Sequence, residues 1–266
     1  MEIARTRAEL DALTGPARAQ GMIIGYVPTM GALHDGHLSL VRMAREEADL
    51  VGVSVFVNPT QFAPHEDFDA YPRQEEHDLS LLEREGAAFV FLPSRDELYA
   101  DGYESAVAPG PAAEGLESDF RPHFFGGVVN VVYRLFSAVR PDIAVFGEKD
   151  FQQLQVIKEM VAAQGLPIRI AGGPIVRDAH GLALSSRNAY LSPEELRVAR
   201  TLNQVLYDAA SSIRNGEAPD YVCAGAAQSL VDHGFASVDY VAERWDRVLA
   251  AAWLGKTRLI DNVPAI

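Results

Sequence analysis

Short apolar runs of strand length alternate along this chain with segments whose apolar residues recur at helical spacing. Residues 22–27, 50–57, 88–92, 143–146 and 168–170 read as buried strands. Helices are expected from the His34–His37 junction to about residue 48 and over 74–85, 128–140 and 151–164, and residues 2–14 read as an amphipathic helix with Ile3, Leu10 and Leu13 inward. The run 50–57 is apolar almost throughout, as in a parallel strand covered on both faces. Strands alternating with helices predict an α/β fold built on a doubly wound parallel sheet.

After Pro174 the pattern changes. Ser192, Pro193 and Glu195 form a helix start with a capping box, and that helix is expected to run to about residue 215. A helix over 219–233, a strand near 237–242, a short helical stretch around Ala250 and a strand over 257–260 make a smaller α+β domain. The expected division is therefore 1–175 and 176–266. Residues 93–127 fit neither period and are rich in proline and glycine. A loop of that length is uncommon unless functional, so a lid or partner surface is expected.

Three polar clusters follow the carboxyl ends of different strands: residues 29–37, 58–61 and 147–150. Ligands of open α/β sheets bind at that edge. The first cluster holds His34-Asp35-Gly36-His37 at the start of a helix, where unpaired N–H groups favour an anion. Two histidines at that spacing are compatible with surface capping, with metal binding or with a phosphate clamp. The single cysteine and the lack of an H-E-x-x-H spacing count against zinc, and the position after a buried strand favours the clamp. Ser185, Ser186 and Arg187 offer hydroxyls and a guanidinium on a later loop, a good phosphate-binding set.

Charge narrows the choice of partner. A formal net charge of −14 argues against a nucleic-acid binder, but not against a phosphate ligand held by a few local cations. Twenty of the 23 basic residues are arginine, so lysine at Lys149, within Gly147-Glu148-Lys149-Asp150, suggests a need for a compact ammonium. There is no apolar run of membrane-spanning length, and the first residues lack the apolar core of a signal peptide. A cytoplasmic protein without membrane or nucleic-acid partners is expected. Cys223 reads as a small buried residue.

Six segments, in order, carry a family likeness: Pro28-Thr29-Met30-Gly31-Ala32-Leu33-His34-x-Gly36-His37, Val57-Asn58-Pro59-Thr60-Gln61-Phe62, Tyr71-Pro72-Arg73, Phe146-Gly147-Glu148-Lys149-Asp150-x-Gln152-Gln153-Leu154, Ser185-Ser186-Arg187-Asn188, and Gly255-Lys256-Thr257-Arg258-Leu259-Ile260-Asp261-Asn262. Together they resemble the pantothenate synthetase family, within the wider HIGH-type nucleotidyltransferases. The resemblance implies ATP-dependent joining of (R)-pantoate and β-alanine through a pantoyl-adenylate, releasing pyrophosphate and AMP. It also implies a Rossmann-like domain with a smaller C-terminal domain, a cytoplasmic homodimer and a Mg²⁺ requirement.

By matching position, the resemblance places ATP contacts on Met30, Gly31, Ala32, Leu33, His34, Asp35, Gly36, His37, Gly147, Glu148, Lys149, Asp150, Val176, Leu184, Ser185, Ser186 and Arg187. His37 corresponds to the catalytic histidine, with His34 and Lys149 as further donors to phosphoryl oxygens, and Gln61 and Gln153 to the pantoate-holding glutamines. Asp150 and Asp78 are candidate Mg²⁺ ligands, inner or outer, though no metal ligand is assigned.

The chain departs from the family where Arg-Pro-x-His-Phe-x-Gly-Val is usual. Here the stretch is Arg121-Pro122-His123-Phe124-Phe125-Gly126-Gly127-Val128, so the histidine has either moved to His123 or given way to Phe124. Asn130, His180 and His77 replace a common threonine, a usual aspartate and a frequent acidic residue. An adenylyltransferase for another acceptor and a catalytically silent nucleotide binder stand as alternatives.

Overall fold

The computed structural model describes residues 1–62, 68–69, 71–104 and 107–265, which form two compact units. The polar stretch 63–73 reads as a loop in the sequence and lies partly outside the described residues. The first unit comprises 1–148 and 152–174, the second 149–151 and 175–266.

In the first unit, in chain order, come β1 (Glu2–Ala4), α1 (Arg7–Ala19), β2 (Ile24–Thr29), α2 (Asp35–Glu47), β3 (Leu50–Val55), α3 (Glu75–Arg84) and β4 (Phe89–Phe91). They are followed by α4 (Arg95–Leu98), α5 (Glu117–Phe120), α6 (Phe124–Val139), β5 (Ile143–Gly147), α7 (Phe151–Ala163, whose first residue belongs to the second unit) and β6 (Arg169–Gly173). The strands pair in parallel in the order β1-β4-β3-β2-β5-β6, the doubly wound sheet expected from the alternation. Adjacent strands β3, β2 and β5 bring the carboxyl ends followed by residues 56–61, 30–37 and 148 to one edge of this unit.

The amino-terminal segment corrects one expectation. Residues 2–4 are a strand against β4, with Ile3 43% exposed, and the helix begins only at Arg7 behind a Thr6–Glu9 capping box. Sheet pairing overrode a weak helical period. Helix α6 starts four residues earlier than its apolar pattern suggests, at Phe124, and is buried nearly all round. It stops where Arg140 turns left-handed (φ 49°) ahead of Pro141.

Much of the 93–127 excursion is fastened down. Gln152 Nε2 donates to the carbonyls of Ala112 and Gly115, both at 3.1 Å, and its Oε1 accepts the Glu117 N–H at 3.0 Å. Buried Arg134 pairs with Asp101 and donates to the carbonyls of Gly102 and Glu104. Asn130, in place of a common threonine, accepts from Arg134 Nε at 2.9 Å and donates to the Tyr103 carbonyl at 3.1 Å. Residues 105–106 of the excursion lie outside the described residues.

The second unit carries α8 (Pro193–Ala199), α9 (Thr201–Arg214), α10 (Pro219–Asp232), β7 (Ser237–Arg244), β8 (Arg247–Leu254) and β9 (Thr257–Pro264). The strands form an antiparallel sheet, β7-β8-β9. The Ser192 capping box is present, but the expected single helix to residue 215 breaks at Arg200. The helical stretch expected around Ala250 is instead the central strand. Ala250, Ala251 and Ala252 are buried, and the strand is bonded on both edges, so pairing outweighs the helix propensity of alanine. Cys223 is buried among Leu202, Leu206 and Leu230, and burial pushes its thiol pKa up.

Candidate active site

The loop after β2 is shaped by its backbone and by a carboxylate from α3. Gly31 (φ 81°) and Ala32 (φ 51°) are both left-handed, and the Gly31 N–H is 3.2 Å from Thr29 Oγ1. A Cβ at Gly31 would stand 2.9 Å from Asp78 Oδ2, so no side chain fits there. Asp78 accepts the Ala32 N–H at 2.9 Å and the Leu33 N–H at 2.8 Å. Burial pushes this carboxyl above its ordinary range, while the bonds from Leu33 and Ala32 pull the other way. With Asp78 only 1% exposed and both oxygens engaged, it does not fit a Mg²⁺ ligand.

That loop delivers His34 to the N-cap of α2. His34 Nδ1 accepts the Gly36 N–H at 3.1 Å, and His37 Nδ1 accepts the His34 N–H at 3.4 Å. The rings stand 4.1 Å apart between centroids. An imidazole that accepts at Nδ1 carries its proton on Nε2 when neutral, so both rings share that tautomer. Both rings are half-buried, whereas Asp35 is exposed and 3.7 Å from Arg42.

Gln61 follows β3 in a 3₁₀ turn, Pro59–Gln61, capped by Asn58. The buried Asn58 amide donates to Gln61 Oε1 at 3.2 Å and to the Gly127 carbonyl at 3.1 Å, while its Oδ1 accepts from Tyr99 at 2.7 Å. Gln61 Nε2 then lies 2.9 Å from Met30 Sδ, joining the second cluster to the first. Helix α6 comes so close that a Cβ on Gly127 would be 2.4 Å from the Thr60 carbonyl oxygen. Arg121 reaches the Gln61 carbonyl at 3.4 Å, and its guanidinium lies 3.9 Å from the Phe124 ring centroid. His123 is exposed at the N-cap of α6, and Phe124 is buried under Arg121. Gly147, Glu148 and Gln153 are half-buried; Gln152, beside Gln153, is the buried anchor described above.

A cavity of about 470 Å³ opens beside Met30, Gly31 and Asp78, toward Arg5, Arg73 and Glu75. Of the residues singled out from the family likeness for substrate contact, only Met30 and Gly31 line it.

The second unit holds the remaining candidates. Lys149 Nζ is 3.7 Å from Asp150 Oδ2, and the Asp150 side chain is 43% exposed. Val176 and Leu184 are joined by a backbone bond of 2.9 Å. Ser185 caps a 3₁₀ turn, Ser186–Tyr190, its hydroxyl accepting the Arg187 N–H at 3.3 Å; Ser185, Ser186 and Arg187 are half-buried. Arg177 shapes this region through two bonds to Asp261, at 2.6 and 2.8 Å. Among the described residues, no three His, Cys, Asp or Glu side chains are grouped to hold a metal ion, and no helix is long and apolar enough to cross a membrane.

Asp78, Asn58, Tyr99 and Gln152 were not singled out from the sequence for these contacts. Asn58 before Pro59 carries a readable capping signal. The others pair over separations that no local pattern reports.

A sequence profile described as Pantoate-beta-alanine ligase matches residues 2–264. A pantothenate synthetase from Mesorhizobium japonicum is 51% identical over 274 residues, covering 98% of this chain and 97% of the relative. A crystal structure of pantothenate synthetase from Thermus thermophilus superposes with a TM-score of 0.90 at 38% identity, over 100% of this chain and 99% of that one. The Francisella tularensis pantoate-beta-alanine ligase, complexed with beta-gamma ATP and beta-alanine, gives a TM-score of 0.89 at 33% identity, over 100% and 98% of the two chains.

Proposed function

Since the chain belongs to the pantoate–β-alanine ligase family, enzymes that join pantoate and β-alanine into pantothenate, we propose that it works in two steps with ATP as the energy source. In the first, a pantoate carboxylate oxygen attacks the α-phosphorus, the bond to the β-phosphate oxygen breaks, and pyrophosphate leaves. In the second, the β-alanine amine attacks the acyl carbon, AMP leaves, and the amine loses a proton.

Neither step needs a protein nucleophile, only placement and charge stabilisation. The observation that carries this reading is the histidine pair. Each Nδ1 accepts a backbone N–H, so a neutral ring carries its proton on Nε2, the atom assigned to the phosphoryl oxygens. His37 is assigned the main catalytic role, with His34 and Lys149 as further donors. ATP contacts are assigned to residues 30–37 and 147–150, to Val176 and Leu184, and to Ser185, Ser186 and Arg187. Gln61 and Gln153 are assigned to pantoate. An amide at Gln61 can hold a hydroxy acid without neutralising the carboxylate that must attack.

Mg²⁺ would neutralise phosphate charge while keeping several waters. Asp150, partly exposed, fits as an inner or outer ligand; Asp78 does not. Residues 1–175 are assigned nucleotide and pantoate binding, and 176–266 the Ser185–Arg187 phosphate loop. A cytoplasmic homodimer completes the reading, on family membership.

The test is to incubate protein, ATP, Mg²⁺, (R)-pantoate and β-alanine and identify the products. Pantothenate with AMP and pyrophosphate is expected. Pantoate should also drive exchange of labelled pyrophosphate into ATP without β-alanine. Release of ADP and phosphate instead, or no exchange, would overturn the adenylate route.

A further inference from the structure

The closing strand β9 carries Asp261 and Asn262 side by side, 3% and 1% exposed, and the two-step reading gives neither a part. We propose that Asn262 is a positioning residue for Lys149, a proposal that rests on the role assigned to Lys149 above. Asn262 Nδ2 donates to the Lys149 carbonyl at 3.0 Å. Its Oδ1 accepts from Arg247 Nε at 2.5 Å. Turning the amide over would set its NH₂ against the guanidinium and its oxygen against the Lys149 carbonyl. The arginine therefore selects the orientation that grips Lys149.

The grip is doubled two residues on. The Arg247 guanidinium lies 4.5 Å from the Phe151 ring centroid, and the Phe151 and Trp245 rings are 6.2 Å apart. Residues 149–151 are thus held at both ends by groups on the β7–β8–β9 sheet. The backbone of Asn262 is fixed in turn. Its N–H donates to Asp261 Oδ1 at 2.7 Å, and its carbonyl accepts from Arg177 Nη2 at 3.1 Å. Asp261 takes the two-pronged bond from the same arginine. Groups mounted on paired strands hold geometry better than groups on loops. Lysine has a long, flexible stem, so fixing its main chain limits where the ammonium can reach.

Asn262→Asp preserves shape and leaves Arg247 a partner, but replaces the donor to Lys149 with an oxygen. Single-turnover pyrophosphate release in the presence of pantoate, with ATP varied, is compared for wild type, Asn262→Asp, Lys149→Ala and the double variant, with thermal melts confirming folding. Asn262→Asp should lower the rate about 10- to 100-fold, the scale of a small misplacement, with little change in the ATP concentration giving half-maximal rate. In the Lys149→Ala background the same change should cost nothing further.

An equal loss in both backgrounds, or an unaltered rate, would overturn the proposal while leaving Lys149's role standing. A Lys149→Ala protein as fast as wild type would instead overturn that role, and the proposal with it. If Asn262→Asp does not fold, Arg247→Met removes the donor that orients the amide. Its smaller loss should likewise vanish without Lys149, and a loss independent of Lys149 overturns the proposal.

Discussion

The Asp78 carboxylate accepts the Leu33 N–H at 2.8 Å and so ties helix α3 to the loop that presents the histidine pair. The other oxygen holds Ala32, a non-glycine residue in left-handed backbone. Asp78→Asn would turn an NH₂ toward one of two N–H donors. The expected cost is roughly 1–3 kcal/mol, the range for a buried bond left unmade. Urea unfolding measures this. Turnover per folded molecule should also fall, because the loop enters α2 through these bonds.

His37 is assigned a donor role at Nε2, the nitrogen that carries the proton of the neutral ring when Nδ1 accepts the His34 N–H. His37→Ala should cut turnover about 100- to 1,000-fold, the usual loss for one transition-state donor. His37→Gln, which retains an N–H of similar reach, should recover part of it. Steady-state kinetics on both variants decides the matter, and near-wild-type turnover in the alanine variant would refute the role.

The doubly wound sheet was legible because covered parallel strands leave continuous apolar runs, as at 50–55, and because helices of the right period fall between them. Local competition between states was not legible. Residues 2–4 are strand only because β4 supplies an edge, and Ala250–Ala252 are strand only because β7 and β9 flank them. Candidate chemistry at His34, Gln61 and Lys149 could be named from residue type and likeness. Its support could not, since Asp78 reaches Leu33 across 45 positions and Asn262 reaches Lys149 across 113. The departures from the family pattern likewise take their meaning from the fold. His180 is exposed and gives Asp178 only its backbone N–H, which any residue but proline supplies, whereas Phe124 is packed beneath Arg121.

Gly127 lies where α6 meets the turn carrying Gln61. The nearest atoms to an added Cβ are backbone, the Thr60 carbonyl oxygen at 2.4 Å and the Gln61 nitrogen at 2.7 Å, so no side-chain rotation can relieve the clash. Gly127→Ala should destabilise by about 1–3 kcal/mol, as overpacking typically does. It should also raise the KM for pantoate, since the displaced turn carries the glutamine assigned to that substrate. Gly126→Ala, where an added Cβ meets nothing within 4 Å, serves as the control and should do neither.

Asp178 gathers three donors in the loop after Ile175, and a pH-dependent stability is expected from it. Its Oδ1 accepts from His180 and Leu182 at 2.8 and 2.9 Å, and Oδ2 accepts from Arg200 Nε at 3.1 Å. Burial alone would raise its pKa, but the Leu182 and His180 bonds and the Arg200 guanidinium together pull it below the ordinary aspartate value. A carboxyl depressed in the folded state binds protons more readily when unfolded. Its contribution is therefore complete above the unfolded pKa of about 3.9 and is lost as pH falls through the lower folded value. Asp178→Asn should be less stable than wild type at pH 7, by about 1.5–3 kcal/mol for bonds to a charged acceptor. From about pH 4 downward the gap should close, because wild type then loses the same ionised partner. Urea midpoints measured from pH 7 to pH 3 test this, and a gap that stays constant over that range would show that the carboxylate's charge contributes nothing there.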